Sequence, residues 1–309
     1  MTAFFSLPYN VRGLFLQSQN LLKRRIIMAT FFNQATLSYN GNTITSNVTT
    51  GEIVEVLSAE KTAILPTYEQ GGDITYVISI VNAGTTPYTA LTITDNLGEY
   101  AFGTGTVVPL TYKTGSVRYF INGVLQPAPT VTDDVPFTVT GINVPANSNT
   151  LIIYEADVNG FAPLASGSVI TNEAVISGSG LTNDIIVTET VAVADAPLLS
   201  ITKSLSPTVV NENGQITYTL TIVNNGNTPI VATDDVVVSD TFDPILSDIT
   251  VTLNGVTLGA GDYSYNEATG EFVTTAGVVT VPAAAYTQGP DGEWVVTPGT
   301  AVITITGTI

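Results

Sequence analysis

The sequence has neither cysteine nor histidine in its 309 residues. Without cysteine no disulfide can staple the fold in any compartment. Without histidine, Ser-His-Asp, Cys-His and His-ligated metal chemistry are excluded. Cationic side chains are scarce as well: Lys plus Arg number 8 against 26 Asp plus Glu, a net charge of −18. Such a field repels nucleic-acid phosphates and anionic membranes, so neither is an expected partner. No run reaches the roughly 20 apolar residues of a membrane span. Helix-forming runs of Leu, Glu, Lys and Arg are almost absent.

What is present suits pleated strands. Hydrophobic residues make up 44%, mostly Val, Ile, Leu and Ala, and Thr, Tyr and Gly are abundant. β-Branched and aromatic residues favour strands, while Gly, Asn, Asp and Pro supply turns, so an all-β chain is predicted. Its length has room for two domains of ordinary size.

The first 27 residues differ from the rest. They hold no acidic residue and half the basic ones, Arg12, Lys23, Arg24 and Arg25. A secretory signal needs its positive charge ahead of the apolar run, and here the cluster follows it. Lys23-Arg24-Arg25-Ile26-Ile27 fits a purine-rich ribosome-binding site and AT-rich spacer, which makes Met28 the expected start. An amphipathic anchor helix is the alternative. From Met28 the chain keeps four basic residues against all 26 acidic ones, a net of −22.

An internal repeat organises the remainder. Gly72-Asp73-Ile74-Thr75-Tyr76, followed by Ile78, Ile80, Val81-Asn82, Gly84 and Pro87, recurs as Gly214-Gln215-Ile216-Thr217-Tyr218 with Leu220, Ile222, Val223-Asn224, Gly226 and Pro229. Lys61 recurs as Lys203, Ile121-Asn122-Gly123-Val124 as Leu253-Asn254-Gly255-Val256, and Val144-Pro145-Ala146 as Val281-Pro282-Ala283. Short alternating strands between Asn-Gly, Gly-Gly and Asn-Thr-Pro turns predict two tandem immunoglobulin-like β-sandwiches. Residues 58–197 and 198–309 are the expected repeats, hinged at Asp195-Ala196-Pro197.

The two copies are unequal. After Thr150-Leu151-Ile152-Ile153-Tyr154, copy one runs on through Val169–Ser177 and Ile185–Thr188, whereas copy two reaches the equivalent Thr300–Ile305 and ends at Ile309. Closing strands for copy two are found at the front: Phe31-Phe32-Asn33-Gln34-Ala35-Thr36-Leu37-Ser38 is patterned like the Asn172-Glu173-Ala174 strand. An unfinished sandwich leaves an unpaired sheet edge and an open core. Two end-to-end sandwiches would hold residues 28–57 away from that edge, so the segment is expected to complete the next molecule. Such a head-to-tail contact does not close and gives a filament. Six buried apolar side chains are worth roughly 10–20 kcal/mol gross. A shorter copy two with a loose front segment is the plainer alternative.

Parity along the strands identifies polar groups on apolar faces. Lys61 shares a face with Leu57 and Ala59, Lys203 with Leu199 and Ile201, Asp95 with Leu91 and Ile93, and Asp240 with Val236 and Val238. Asn172 falls with Ile170, Ala174 and Ile176, and Asn33 with Phe31, Ala35 and Leu37. Burial lowers a lysine pKa and raises an aspartate pKa, leaving a nucleophilic amine beside an acid able to polarise a carboxamide. Those conditions favour a spontaneous Lys–Asn isopeptide bond, and the triad resembles the one used by Gram-positive surface sandwiches. The resemblance implies Lys61, Asp95 and Asn172 within a chain, and Lys203 and Asp240 with Asn33 of a neighbour. A Lys–Asp ion pair with asparagine hydrogen bonds, or a rim position, is the other reading.

Asp133-Asp134 and Asp234-Asp235 have calcium-binding chemistry, although acidic loop pairs are ordinarily just solvated. Asn47-Val48-Thr49 matches a glycosylation sequon and reads equally as a turn. Carboxylate spacing does not rule on a glycosidase, but no aromatic-lined cleft is suggested. No catalytic residue, metal or cofactor is expected, and the chain is read as non-enzymatic.

Ile201-Thr202-Lys203-Ser204 with Ser206-Pro207, Gly214–Tyr218, Asn224-Asn225-Gly226-Asn227-Thr228-Pro229 and Val238-Ser239-Asp240 resemble the bacterial conserved-repeat domain of unknown function eleven. The resemblance is looser in copy one, where Thr62-Ala63-Ile64-Leu65-Pro66 replaces the Ser-Pro start. Two such domains without an export signal also resemble subunits of clostridial spore appendages. That resemblance implies assembly inside the mother cell and deposition on the spore; with the unequal copies, the expectation is a self-polymerising fibre subunit on the spore surface or in an extracellular appendage. A monomeric adhesive or ligand-binding surface module is the alternative.

Overall fold

The computed structural model describes residues 26–309. The leader expected over 1–27, with Arg12 and the Lys23-Arg24-Arg25 cluster, lies outside the described residues except for Ile26 and Ile27, which open the first strand. Among the described residues the only helical element is a 3₁₀ turn at Ala232–Asp234. No helix there is long and apolar enough to cross a membrane.

The chain begins with a two-armed ribbon. Strands β1 (Ile26–Asn33) and β2 (Thr36–Tyr39) run out, and β3 (Asn42–Thr45) and β4 (Thr49–Glu55) return antiparallel to them. Asn40 and Gly41 make the turn with φ of 45° and 78°, the left-handed pair whose twist matches the flanking strands.

The first sandwich follows. Its strands are β5 (Leu57–Ala63), β6 (Thr67–Tyr68), β7 (Asp73–Asn82), β8 (Tyr88–Asp95), β9 (Tyr100–Phe102), β10 (Gly105–Val107) and β11 (Leu110–Tyr112). They continue with β12 (Arg118–Ile121), β13 (Val124–Leu125), β14 (Thr130–Thr132), β15 (Phe137–Val144), β16 (Ser148–Val158), β17 (Val169–Ser177) and β18 (Ile185–Val193). One sheet has the order β13-β12-β16-β7-β5, with β11 also on β16; the other has the order β14-β15-β8-β17-β18-β6. Between them Phe137 of β15 packs on Tyr154 of β16, ring centres 5.0 Å apart, and on Tyr112 at 4.4 Å.

The second sandwich comprises β19 (Leu199–Ser206), β20 (Gln215–Asn224), β21 (Ser239–Thr241), β22 (Ser247–Leu253), β23 (Val256–Thr257), β24 (Tyr263–Asn266), β25 (Glu271–Thr274), β26 (Ala285–Gln288), β27 (Trp294–Thr297) and β28 (Gly299–Thr308). On β20, Ile216, Tyr218, Leu220 and Ile222 alternate inward, the period that half-buried strands require. The sheet β19-β20-β28-β22-β23 repeats the path β5-β7-β16-β12-β13 of the first sandwich, without a counterpart of β11. Its companion sheet has only β21-β25-β24. Among the described residues nothing in the second sandwich takes the places of β17, β18 and β6. The chain is thus two immunoglobulin-like sandwiches, the second without closing strands. By compactness, one unit runs up to Ala162 and includes Val169–Ala192; the other joins Pro163–Ser168 to Val193–Ile309.

One polar residue of the repeat is architectural. Asn82 is fully buried at the end of β7, where its amide nitrogen donates to the carbonyls of Thr86 (2.8 Å) and Pro145 (3.0 Å). Its Oδ1 accepts from Gly84 N at 2.9 Å. Asn224 repeats this with Thr228, Pro282 and Gly226. Asn82→Ala removes all of these bonds at once and leaves their part-buried backbone groups unpaired, so it should cost about 2–4 kcal/mol. Urea melts should record that loss in the first sandwich, and Asn224→Ala should produce its counterpart in the second.

Candidate functional site

In the first sandwich β8 lies between β15 and β17, with Asp95 opposite Phe137 on one side and Ala174 on the other. Lys61 reaches it from β5 in the facing sheet. Lys61 Nζ donates to Asp95 Oδ2 at 2.7 Å, and both side chains are 0% exposed. Asp95 Oδ1 accepts from Leu97 N at 2.8 Å. The Tyr154 hydroxyl, from β16, also donates to Asp95 Oδ2. Asn172 on β17 is fully buried beside them; its Nδ2 donates to the Tyr154 oxygen at 3.3 Å, and its Oδ1 accepts from Gly98 N at 3.2 Å. Lys61, Asp95 and Asn172 thus share one buried network.

Burial is the dominant influence on Lys61 and holds its pKa below the ordinary lysine range, although Asp95 pulls it upward. Burial, and then the Asp95 charge, push the Tyr154 hydroxyl well above the ordinary tyrosine range. Lys61 Nζ also sits 4.8 Å from the centre of the Tyr76 ring. A lysine that gives up its proton easily, held by an acid beside a carboxamide, has the ingredients for amide exchange.

The second sandwich presents the same pair half open. Lys203 Nζ lies 2.5 Å from Asp240 Oδ2, with the side chains 39% and 17% exposed. The approach lacks hydrogen-bond geometry, because Asp240 Oδ2 has no hydrogen-bond partner. Lys203 also rests over the rings of Tyr218 (4.4 Å) and Phe242 (5.2 Å). Asp240 is opposite Phe272, as Asp95 is opposite Phe137, but the other edge of β21 is unpaired among the described residues. In the first sandwich the Asn96 N–H crosses to the Glu173 carbonyl on β17. The equivalent Thr241 N–H turns instead to its neighbour's Asp240 Oδ1, 2.9 Å away. The inward face of β19 is uncovered too: Leu199 is 43% exposed where its counterpart Leu57 is 2% exposed, and Ile201 and Leu205 are exposed beside it.

The ribbon shows the converse. Phe31, Leu37 and Tyr39 are exposed apolar residues in step with Asn33, which is itself exposed at the end of β1 opposite Thr49. On β17 the matching face is Ile170, Asn172, Ala174 and Ile176, all buried. The order apolar, Asn, Ala, apolar is therefore covered in one place and bare in the other.

The weaker sequence signals occupy ordinary turns. Asp133 accepts from the Thr114 hydroxyl, and Asp234 accepts from Val231 N at the 3₁₀ turn. Among the described residues no group of three or more acidic side chains is placed to hold a metal ion. Tyr154 is the member of the buried network that the sequence motifs leave unmarked.

No protein-family model and no curated protein sequence matches the chain. Several solved structures are similar at low identity. BcpA, the major pilin subunit of Bacillus cereus, is 13% identical over 87% of this chain and 73% of that one, with a TM-score of 0.34. The pilus backbone RrgB from Streptococcus pneumoniae is 11% identical over 78% of this chain, which spans 55% of that one, with a TM-score of 0.32. The collagen-binding subdomain of the Enterococcus faecalis surface protein ACE is 10% identical over 45% of this chain and 97% of that one, with a TM-score of 0.30.

Proposed function

We propose that the chain is a non-enzymatic structural subunit of a self-assembling fibre, extracellular or on a spore surface. Subunits join when the N-terminal ribbon of one molecule closes the second sandwich of the next. The observation that carries this reading is the pairing of a sandwich lacking β17 and β18 equivalents with a bare ribbon patterned like β17. Adding a hairpin to the free edge of β21 would satisfy its backbone and cover Leu199, Ile201 and Leu205. The joint is heterologous, so each added subunit presents a fresh open edge.

The same reading includes two covalent bonds. Lys61 is proposed to attack Asn172 within a chain, with Asp95 as the assisting acid; Lys203 and Asp240 are proposed to act on Asn33 of the incoming ribbon. In each, an Nζ–Cγ bond forms and ammonia leaves. Electron microscopy of the purified chain should reveal filaments that survive boiling in detergent as a covalent ladder. A chain that stays monomeric at high concentration would instead favour a monomeric adhesive or ligand-binding module.

A further inference from the structure

The register of the strands places Tyr154 opposite Tyr76 in the first sandwich and Ile305 opposite Tyr218 in the second. Both positions are fully buried, so an apolar side chain suffices for packing at this place in the fold. The hydroxyl of Tyr154 therefore needs a reason beyond volume. It has one in its contacts, because it touches both the carboxylate oxygen that holds Lys61 and the amide nitrogen that would leave Asn172.

The geometry points to Tyr154 as a proton relay that carries a proton from Asp95 to the departing nitrogen of Asn172. This role rests on the Lys61–Asn172 bond proposed above. Lys61 first gives one proton to Asp95, and the neutral Nζ attacks Cγ of Asn172. The charge that develops on Oδ1 meets the Gly98 N–H, already aimed at that atom from 3.2 Å. Asp95 then protonates the Tyr154 oxygen as the Tyr154 proton passes to Nδ2. The Cγ–Nδ2 bond breaks, ammonia departs, and the surplus proton on Nζ returns to Asp95. Burial keeps the phenol protonated between these transfers. The second sandwich, with Ile305, has no such hydroxyl.

The test follows the intact mass of the full chain with time after cell-free synthesis, with Asn172→Ala marking the mass pattern of a chain that cannot form this bond. Tyr154→Phe retains the ring that stacks on Tyr76, centres 5.5 Å apart, and removes only the hydroxyl. It should lose ammonia about a hundredfold more slowly than the wild type, the scale of a lost general acid. Heavy water should slow the wild type, and slow the variant less, a difference that packing alone would not produce. Equal rates for the two chains would overturn the relay and leave the cross-link standing. A wild type that never loses ammonia would remove both. Should Tyr154→Phe fail to fold, a wild-type rate indifferent to heavy water would overturn the relay by itself.

Discussion

Lys61→Met should destabilise the first sandwich by about 3–5 kcal/mol, while Lys203→Met should cost the second only about 0–1 kcal/mol. The two lysines hold the same place in the repeat and face the same partner, so their surroundings must account for the difference. At the first site both charges are fully buried, and removing Lys61 leaves the Asp95 carboxylate with the Tyr154 hydroxyl and the Leu97 N–H but no counter-charge. At the second site Lys203 is already 39% exposed, so water screens its charge and the pair contributes little. Where the Lys61–Asn172 bond has formed, the ion pair no longer exists, and loss of the bond replaces that effect in the same direction. Far-UV circular dichroism during urea unfolding of each variant would measure both. Equal losses at the two positions would contradict a role for β17 in sealing the first pair.

The repeat made much of this legible. Offsets between Lys61 and Lys203, and between Asn82 and Asn224, align strands that prove to have the same sheet order. Strand parity placed Lys61, Asp95 and Asn172 on apolar faces because β5, β8 and β17 alternate cleanly. Tyr154 escaped for two physical reasons. It ends the run Leu151-Ile152-Ile153-Tyr154, which is apolar on both faces and so carries no parity. Its counterpart is Ile305, so comparing the copies cancels the very residue that distinguishes them. Asn82 was visible as a repeated letter but not as a bonded side chain, since its partners are backbone carbonyls that leave no mark in sequence. The shrinkage of β8, eight residues long, to β21 with three was equally hidden. A strand persists only where a neighbour pairs with it, and the neighbour is missing from the second sandwich.

That dependence leads to the largest effect expected. A chain from which residues 28–57 are deleted should remain monomeric, because its open edge has no ribbon to receive. Moving the same residues behind Ile309 should also abolish polymerisation, for the opposite reason, since the edge is then filled by its own chain. The linker can copy the connection at 159–168, which carries the first sandwich from β16 to β17. The order β28, linker, ribbon then reproduces β16, β17, β18. Covering Leu199, Ile201 and Leu205 with Phe31 and Leu37 at roughly 1.5–3 kcal/mol per side chain should outweigh the ordering of one hairpin. The second sandwich should therefore melt at least about 10 °C higher than in the deleted chain. Sedimentation and calorimetry read both outcomes. Filaments from the deleted chain, or from the rearranged one, would mean that the ribbon is not what joins the subunits; an unchanged melting temperature would mean that it does not fit the groove.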